Sequence, residues 1–350
     1  MDEQNVRMYN PTHRFEMSAE TSPPRDPTVD WISKFDDTVH ELAICDNSLY
    51  LALGESILAI SMNSTRDVQW RFDTDRSVYS SPAVVDGSVF VGSADGHLYA
   101  LDAATGDRQW CFEANGRVGS SPSIVDNTVY VGSFDHHVYA LHATTGHKQW
   151  DFGTDGFVDS SPAVVDETVF VGSADGHVYA LNAVTGDRQW DFETAGVVES
   201  SPTVEDGTVF IGSGDNHVYA VDAATGNKQW AFRTDNTVRS SPAVVGDTVF
   251  VGSQDGHIYA LDATSGTERW VFEISSYTDR FVESSPVVVD DTVFVGAHDG
   301  TIYALDADTG NDQWKYETGK WIEASPVVIS DTLYVGGGDG AVYALIESKE

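Results

Sequence analysis

Ser80-Ser81-Pro82-Ala83-Val84-Val85-Asp86-Gly87-Ser88-Val89-Phe90-Val91-Gly92 opens a unit that runs on to Gln109-Trp110-Cys111-Phe112. Ser81 to Val85 is a short apolar run closed by the turn pair Asp86-Gly87. Ser88 to Gly92 is a second run, rich in β-branched and aromatic residues. Asp95-Gly96 makes the next tight turn and His97-Leu98-Tyr99-Ala100-Leu101 the third strand. Thr105-Gly106 turns again into a fourth strand, Gln109 to Phe112. Four antiparallel strands in about 40 residues, alternating and never helical in period, predict the blade of a β-propeller and exclude a helical solenoid.

The unit recurs along the chain. Ser-Ser-Pro ends at Pro82, Pro122, Pro162, Pro202, Pro242 and Pro286, and Ala324-Ser325-Pro326 follows, at spacings of 40, 40, 40, 40, 44 and 40. Such a module cannot bury its faces alone and must stack on its neighbours. The last unit stops after Ala341-Val342-Tyr343-Ala344-Leu345, with three strands, whereas Trp31-Ile32-Ser33-Lys34-Phe35 reads as an orphan fourth strand standing 39 residues before Trp70. A ring has to close to abolish its edges. The sequence therefore predicts an all-β, eight-bladed propeller over residues 31–350, the Trp31 segment completing the C-terminal blade, behind a polar, flexible tail at 1–30. Residues 39–62 form a degenerate first set of inner strands, with Glu41-Leu42 in place of Ser-Pro and Ser64-Thr65 in place of Thr-Gly.

At roughly 150 residues per domain, 350 residues would suggest two domains, and the repeat replaces that with one ring. Lys and Arg number 19 against 55 acids, 38 Asp and 17 Glu, for a net charge of −36, with only 6 Lys. Such a surface repels a phosphate backbone and excludes nucleic acid as a partner. A composition of 41% hydrophobic and 11% aromatic residues excludes disorder of the whole chain. The acid excess, spread through every unit, reads as halophilic adaptation to molar salt, where the Debye length shrinks to about 3 Å; the alternative is an acidic face that recruits a basic partner or a cation. No stretch approaches 18 consecutive apolar residues, so no membrane insertion is expected. The first 30 residues carry no apolar signal region, twin arginine or lipid-attachment cysteine, so a cytoplasmic monomer is expected. Cys45 and Cys111, 66 residues apart, form neither a disulfide framework nor a metal pattern, and two buried or half-buried thiols are expected.

Ala100-Leu101-Asp102-Ala103-Ala104-Thr105-Gly106-Asp107-Arg108-Gln109-Trp110 fits the tryptophan-docking pattern AxDxxTGxxxW. The pattern recurs at Ala220 to Trp230 and Ala304 to Trp314, and with one departure each at Ala140 to Trp150 (His142), Ala180 to Trp190 (Asn182) and Ala260 to Trp270 (Ser265). Over about 320 residues the chain thus resembles the PQQ-repeat, or quinoprotein alcohol dehydrogenase-like, propellers, a WD40-like ring. The resemblance implies that Trp31, Trp70, Trp110, Trp150, Trp190, Trp230, Trp270 and Trp314 wedge between blades as structural docking residues. An indole suits that task, since it buries on the order of 200 Å². The family's enzymes, as the resemblance implies, hold pyrroloquinoline quinone (PQQ) with a pair of adjacent cysteines, a calcium site and a catalytic aspartate, largely on insertions. This chain has no adjacent cysteines and one four-residue insertion, within Ile274 to Arg280. The expectation is a non-catalytic binding or assembly platform without cofactor, with a PQQ- and calcium-dependent dehydrogenase as the alternative. The chain is also similar to the propeller of the outer-membrane assembly lipoprotein family, without its lipid-attachment cysteine.

Positions fixed between units serve the architecture, and variable ones are free for something else. A Val or Ile precedes each Ser-Ser-Pro, at Val78, Val118, Val158, Val198, Val238, Val282 and Ile322. After it come Tyr79, Gly119, Asp159, Glu199, Arg239, Glu283 and Glu323; before it, Ser77, Arg117, Phe157, Val197, Thr237, Phe281 and Trp321. Period-two geometry puts both variable rows on one face. This segment leads from the outer strand of one blade to the inner strand of the next, so its side chains should ring the mouth of the central channel. Tyr79, Arg117, Phe157, Asp159, Glu199, Arg239, Phe281, Glu283, Trp321 and Glu323 are therefore the candidate rim for a protein or small molecule; drift on a solvated rim is the other reading. His97, His137, His177, His217 and His257 share one repeat position, too far apart for bonds near 2 Å to one zinc, and are expected to bond locally. Asp306 to Asp312 has calcium-like acid spacing but lacks the distal Glu of an EF-hand loop and coincides with a docking turn. Ser81 and its equivalents repeat without a fixed His partner, which argues against a serine nucleophile. No metal and no catalytic residue are expected.

Overall fold

The computed structural model describes residues 27–274 and 280–347. They form eight four-stranded antiparallel sheets arranged as a closed propeller. No helix among them is long and apolar enough to cross a membrane. β1 (Pro27–Lys34) is followed by blade 1, made of β2 (Val39–Cys45), β3 (Ser48–Leu53), β4 (Ser56–Ser61) and β5 (Val68–Asp73). Blade 2 repeats this with β6 (Ala83–Val85), β7 (Ser88–Gly92), β8 (His97–Asp102) and β9 (Arg108–Glu113). Blades 3 to 7 follow the same order from inner strands Ser123–Val125, Ala163–Val165, Thr203–Glu205, Ala243–Val245 and Val287–Val289. Blade 8 takes Val327–Ile329, Thr332–Gly336 and Ala341–Glu347 from the C-terminus and β1 as its outer strand. Trp31 pairs with Ala344 as Trp110 pairs with Ala100, so the closing strand lies in the register of every other outer strand. It starts at Pro27, ahead of the Trp31 boundary read from sequence; residues 1–26 lie outside the described residues.

The two middle strands of each blade are covered on both faces by neighbouring blades, which is why Val89-Phe90-Val91 and Leu98 to Leu101 are continuous apolar runs and fully buried. The outer strand instead alternates. Cys111 on β9 consequently points to solvent, a correction to the expectation of buried thiols, while Cys45 is half-buried.

Several fixed elements of the repeat join neighbouring blades. The indole of Trp70 lies against Gly106 of the next blade; Gly106 has φ 74°, and a Cβ there would come within 2.6 Å of the ring. The Trp70 Nε1–H donates to the carbonyl of Ala103 at 2.9 Å, and Trp110, Trp150, Trp190, Trp230 and Trp270 repeat that bond at 2.8–2.9 Å. Asp102 earns its place in the pattern by accepting the backbone N–H groups of Ala104 and Thr105. Trp314 packs on Phe294 at 5.7 Å between ring centres. Trp31 is seated differently. Arg66 occupies the glycine position with φ 52°, so Thr65-Arg66 stands for Thr-Gly, one residue on from the Ser64-Thr65 read from the sequence; its guanidinium donates to the Met62 carbonyl and lies 4.7 Å over the Trp31 ring, and Trp31 Nε1 is buried without a hydrogen-bond partner.

The two serines of Ser-Ser-Pro divide the work. The first accepts the N–H of the glycine that ends the second strand, as Ser80 does from Gly92 at 3.2 Å and Ser160 from Gly172 at 3.0 Å. The second links blade to blade: the N–H groups of Ser81, Ser121, Ser161 and Ser201 donate to Ser121, Ser161, Ser201 and Ser241 Oγ at 2.9–3.0 Å, and Ser241 and Ser285 continue to Ser285 and Ser325. The constant Val packs on the glycine of the preceding blade, where a Cβ on Gly92 would meet Val118 at 2.6 Å.

Candidate functional site

The invariant frame leaves the flanking side chains at the mouth of the channel. Val78, Val158, Val198, Val282 and Ile322 are 0% exposed, and the residues on either side of each reach outward. A third row joins them. The loop between the second and third strands folds over this segment, with N–H donation from Phe134 to Arg117 O at 2.8 Å, from His298 to Phe281 O at 2.9 Å and from Gly338 to Trp321 O at 2.9 Å. Its variable residues are Ala94, Phe134, Ala174, Gly214, Gln254, His298 and Gly338, a row the sequence reading missed. The signal was available as the one changing residue between the near-constant Ser93 and Asp95 positions.

One arc of the rim is aromatic and cationic. The Arg117 guanidinium is sandwiched between Tyr79, 5.0 Å from its ring centre, and Phe134, at 4.0 Å. Phe134 stacks on Phe157 at 4.4 Å, and His40 of blade 1 packs on Tyr79 at 4.6 Å. Arg117 Nη2 donates to both oxygens of Asp159, at 3.2 and 3.1 Å, across the space above Gly119. The opposite arc is a charge relay. Glu199 pairs with Arg239 Nε at 2.7 Å, Arg239 Nη1 stands 3.6 Å from Glu283, and His298 Nε2 lies 3.4 Å from Glu283 and 3.5 Å from Glu323. Gln254 Nε2 also donates to Glu283. Phe281 meets the His298 ring edge-on at 5.7 Å, and Trp321 lies over Gly338 with Lys320 5.4 Å above its ring. Tyr79, Phe281 and Trp321 are exposed, and Phe157 is half-buried. The rim thus sets two guanidinium groups against four carboxyl groups, those of Asp159, Glu199, Glu283 and Glu323.

Blade 1 adds a carboxyl inside the mouth. Glu41 stands where the other blades carry the second serine and receives bonds from the Ser81 side chain and the Ser325 backbone, closing the serine ring. Burial pushes its pKa up to about 8, and the Glu323 charge adds to the rise. Burial also raises Glu199 and Glu323, against the pull of Arg239 and His298 respectively. Glu283 goes the other way: burial would raise it, but His298, Gln254 and Arg239 together hold it below its ordinary value.

The remaining candidates are occupied with their own blades. His97, His217 and His257 place Nδ1 3.1–3.2 Å from the aspartate two residues before, which also accepts the hydroxyl of Tyr99, Tyr219 or Tyr259. Asp306 caps its own turn by accepting the Thr309 N–H at 2.8 Å. On the opposite face, the crevice lined by Val165, Asp166 and Gln189 has a counterpart at Val85, Asp86 and Gln109, so it belongs to the repeat. Of the insertion, residues 275–279 lie outside the described residues. Cys45 and Cys111 sit in different blades, so the adjacent-cysteine seat for a quinone does not fit this chain.

No curated protein sequence matches the chain. Among solved structures it is similar to BamB from Moraxella catarrhalis, with 21% identity and a TM-score of 0.77 over 91% of this chain and 99% of that one. It is similar also to the computationally designed Ika8 protein, at 19% and 0.78 over 90% and 98%. The quinohemoprotein alcohol dehydrogenase from Comamonas testosteroni follows at 16% and 0.76 over 93% of this chain and 77% of that one. These likenesses show the fold. A family model described as outer membrane protein assembly factor BamB matches residues 54–159, and one described as the β-propeller of the beta-alanine-activating enzyme matches residues 154–350. The latter spans more than half of the chain, which therefore belongs to that β-propeller family and is built of PQQ-type repeats.

Proposed function

We propose that the protein is a non-catalytic binding platform whose channel mouth receives a positively charged partner carrying apolar or aromatic groups. The observation that carries this reading is the contrast between frame and rim. Where the frame repeats Val, Ser and Gly almost without change, the rim presents a different combination of side chains in each of blades 2 to 8. Those side chains are organised into an Arg117-centred aromatic stack and a net-negative relay. Exposed Tyr79, Phe281 and Trp321 supply anchors of the kind that dominate interface energetics. The acidic surface of the rest of the molecule, on this reading, keeps the ring soluble in high salt.

The test is capture from an array of random peptides in about 2 M KCl, where general charge attraction is screened. Wild type is expected to select Lys- and Arg-containing sequences with aromatic or aliphatic residues, and the Phe157→Ala, Phe281→Ala, Trp321→Ala triple variant to lose most of that capture. Equal capture by both proteins would overturn the rim reading. Pyrroloquinoline quinone with calcium serves as the enzymatic comparison: a rise in melting temperature together with dye-linked alcohol oxidation would replace the platform with a dehydrogenase.

A further inference from the structure

We propose that Glu283, His298 and Glu323 form a binding site for a single divalent first-row transition-metal ion, with zinc as its probe, at the junction of blades 7 and 8. The three side chains can each offer one ligand atom, all within 4.8 Å of one another. His298 Nε2 stands 3.4 Å from Glu283 Oε2 and 3.5 Å from Glu323 Oε1. Both distances exceed the roughly 2.7–2.9 Å of a fully closed charge-assisted hydrogen bond. Two ligands on a tetrahedral zinc with bonds of roughly 2.0–2.1 Å stand about 3.3–3.4 Å apart, close to the two spacings that His298 makes, while the two carboxylates lie within 4.8 Å of each other.

The surroundings aim the ligands. Glu283 Oε1 is held by Gln254 Nε2 and faces Arg239 Nη1, which leaves Oε2 turned toward His298. The His298 backbone N–H is fixed on Phe281 O, and the Phe281 ring stands against the imidazole. Arg239 works against a cation, yet it is spent on Glu199 at 2.7 Å and reaches Glu283 only at 3.6 Å. Three protein ligands leave a tetrahedral ion one further position, which a donor atom of a bound partner would complete. This inference rests on the platform reading only in placing that partner; metal binding itself is independent of it.

The test titrates chelator-stripped full-length protein with zinc chloride against a chromophoric chelator. Wild type is expected to hold one zinc that His298→Ala and Glu323→Gln each weaken on the order of 10–100-fold or more. His257→Ala, which removes one of the Asp-paired imidazoles, is expected to leave that zinc unchanged. Affinity equal to wild type in His298→Ala, or loss in His257→Ala, would overturn the site. Zinc-edge absorption of the wild-type complex gives a second readout that needs no variant: one imidazole among nitrogen and oxygen ligands is expected, and two or more would contradict it. Failure of the wild-type protein to bind zinc, with its peptide capture intact, would sink the metal site alone.

Discussion

Glu41 is the residue at which the repeat breaks most consequentially. In the sequence it is legible as a departure from Ser-Pro, but a hydrogen-bonded ring of serines exists only once the blades stand side by side, so its burial had no signal along the chain. Its raised pKa fixes a sign. Between about 4.5 and about 8 the folded protein keeps the proton that the unfolded chain has released, so stability falls as pH rises through that window, by at most about 1.4 kcal/mol per unit. Urea unfolding of Glu41→Gln is expected to show that loss reduced; an unchanged pH profile would contradict the burial. Ser161→Ala, which leaves the Ser121 N–H without its acceptor, is expected to cost about 1–3 kcal/mol by the same measurement. His298 was missed for a related reason. It lies on a different loop from Glu283 and Glu323, and only the backbone bond to Phe281 brings the rows together.

Strands and docking turns were the most legible level. A missing fourth strand at one end and a spare one at the other predicted the closure that β1 makes with Ala341–Glu347, because an open edge is costly wherever the blades must pack. The docking pattern likewise foretold Trp on Gly, since close approach of an indole requires the absent Cβ. It did not foretell the seam between blades 8 and 1, where Arg66 replaces the glycine and takes the Met62 carbonyl. Trp150→Ala is expected to destabilise by about 3–5 kcal/mol, the range for emptying a buried aromatic site. Arg66→Ala is expected to cost less, about 1–2 kcal/mol, through the lost cation–π contact and carbonyl bond. Denaturant midpoints would check the order of the two, and Arg66→Ala matching Trp150→Ala would contradict this account of the seam.

At the scale of the whole molecule the −36 charge and the rim are separate matters. Aspartates recur in each blade's turns, so self-repulsion is spread around the ring, and the melting temperature is expected to rise from about 50 mM to molar KCl as the Debye length contracts. A melting temperature flat across that range would remove the salt-adaptation reading without touching the rim. The central claim is that variable residues on an invariant frame mark a binding surface. It is tested most directly by hydrogen–deuterium exchange with an arginine-containing peptide taken from the array. Protection is expected in the segments around Tyr79, Arg117, Phe157, Phe281 and Trp321, with the opposite-face turns at Asp86, Asp126 and Asp166 unchanged. Protection centred on those turns or on the outer strands, with the rim unaffected, would contradict it.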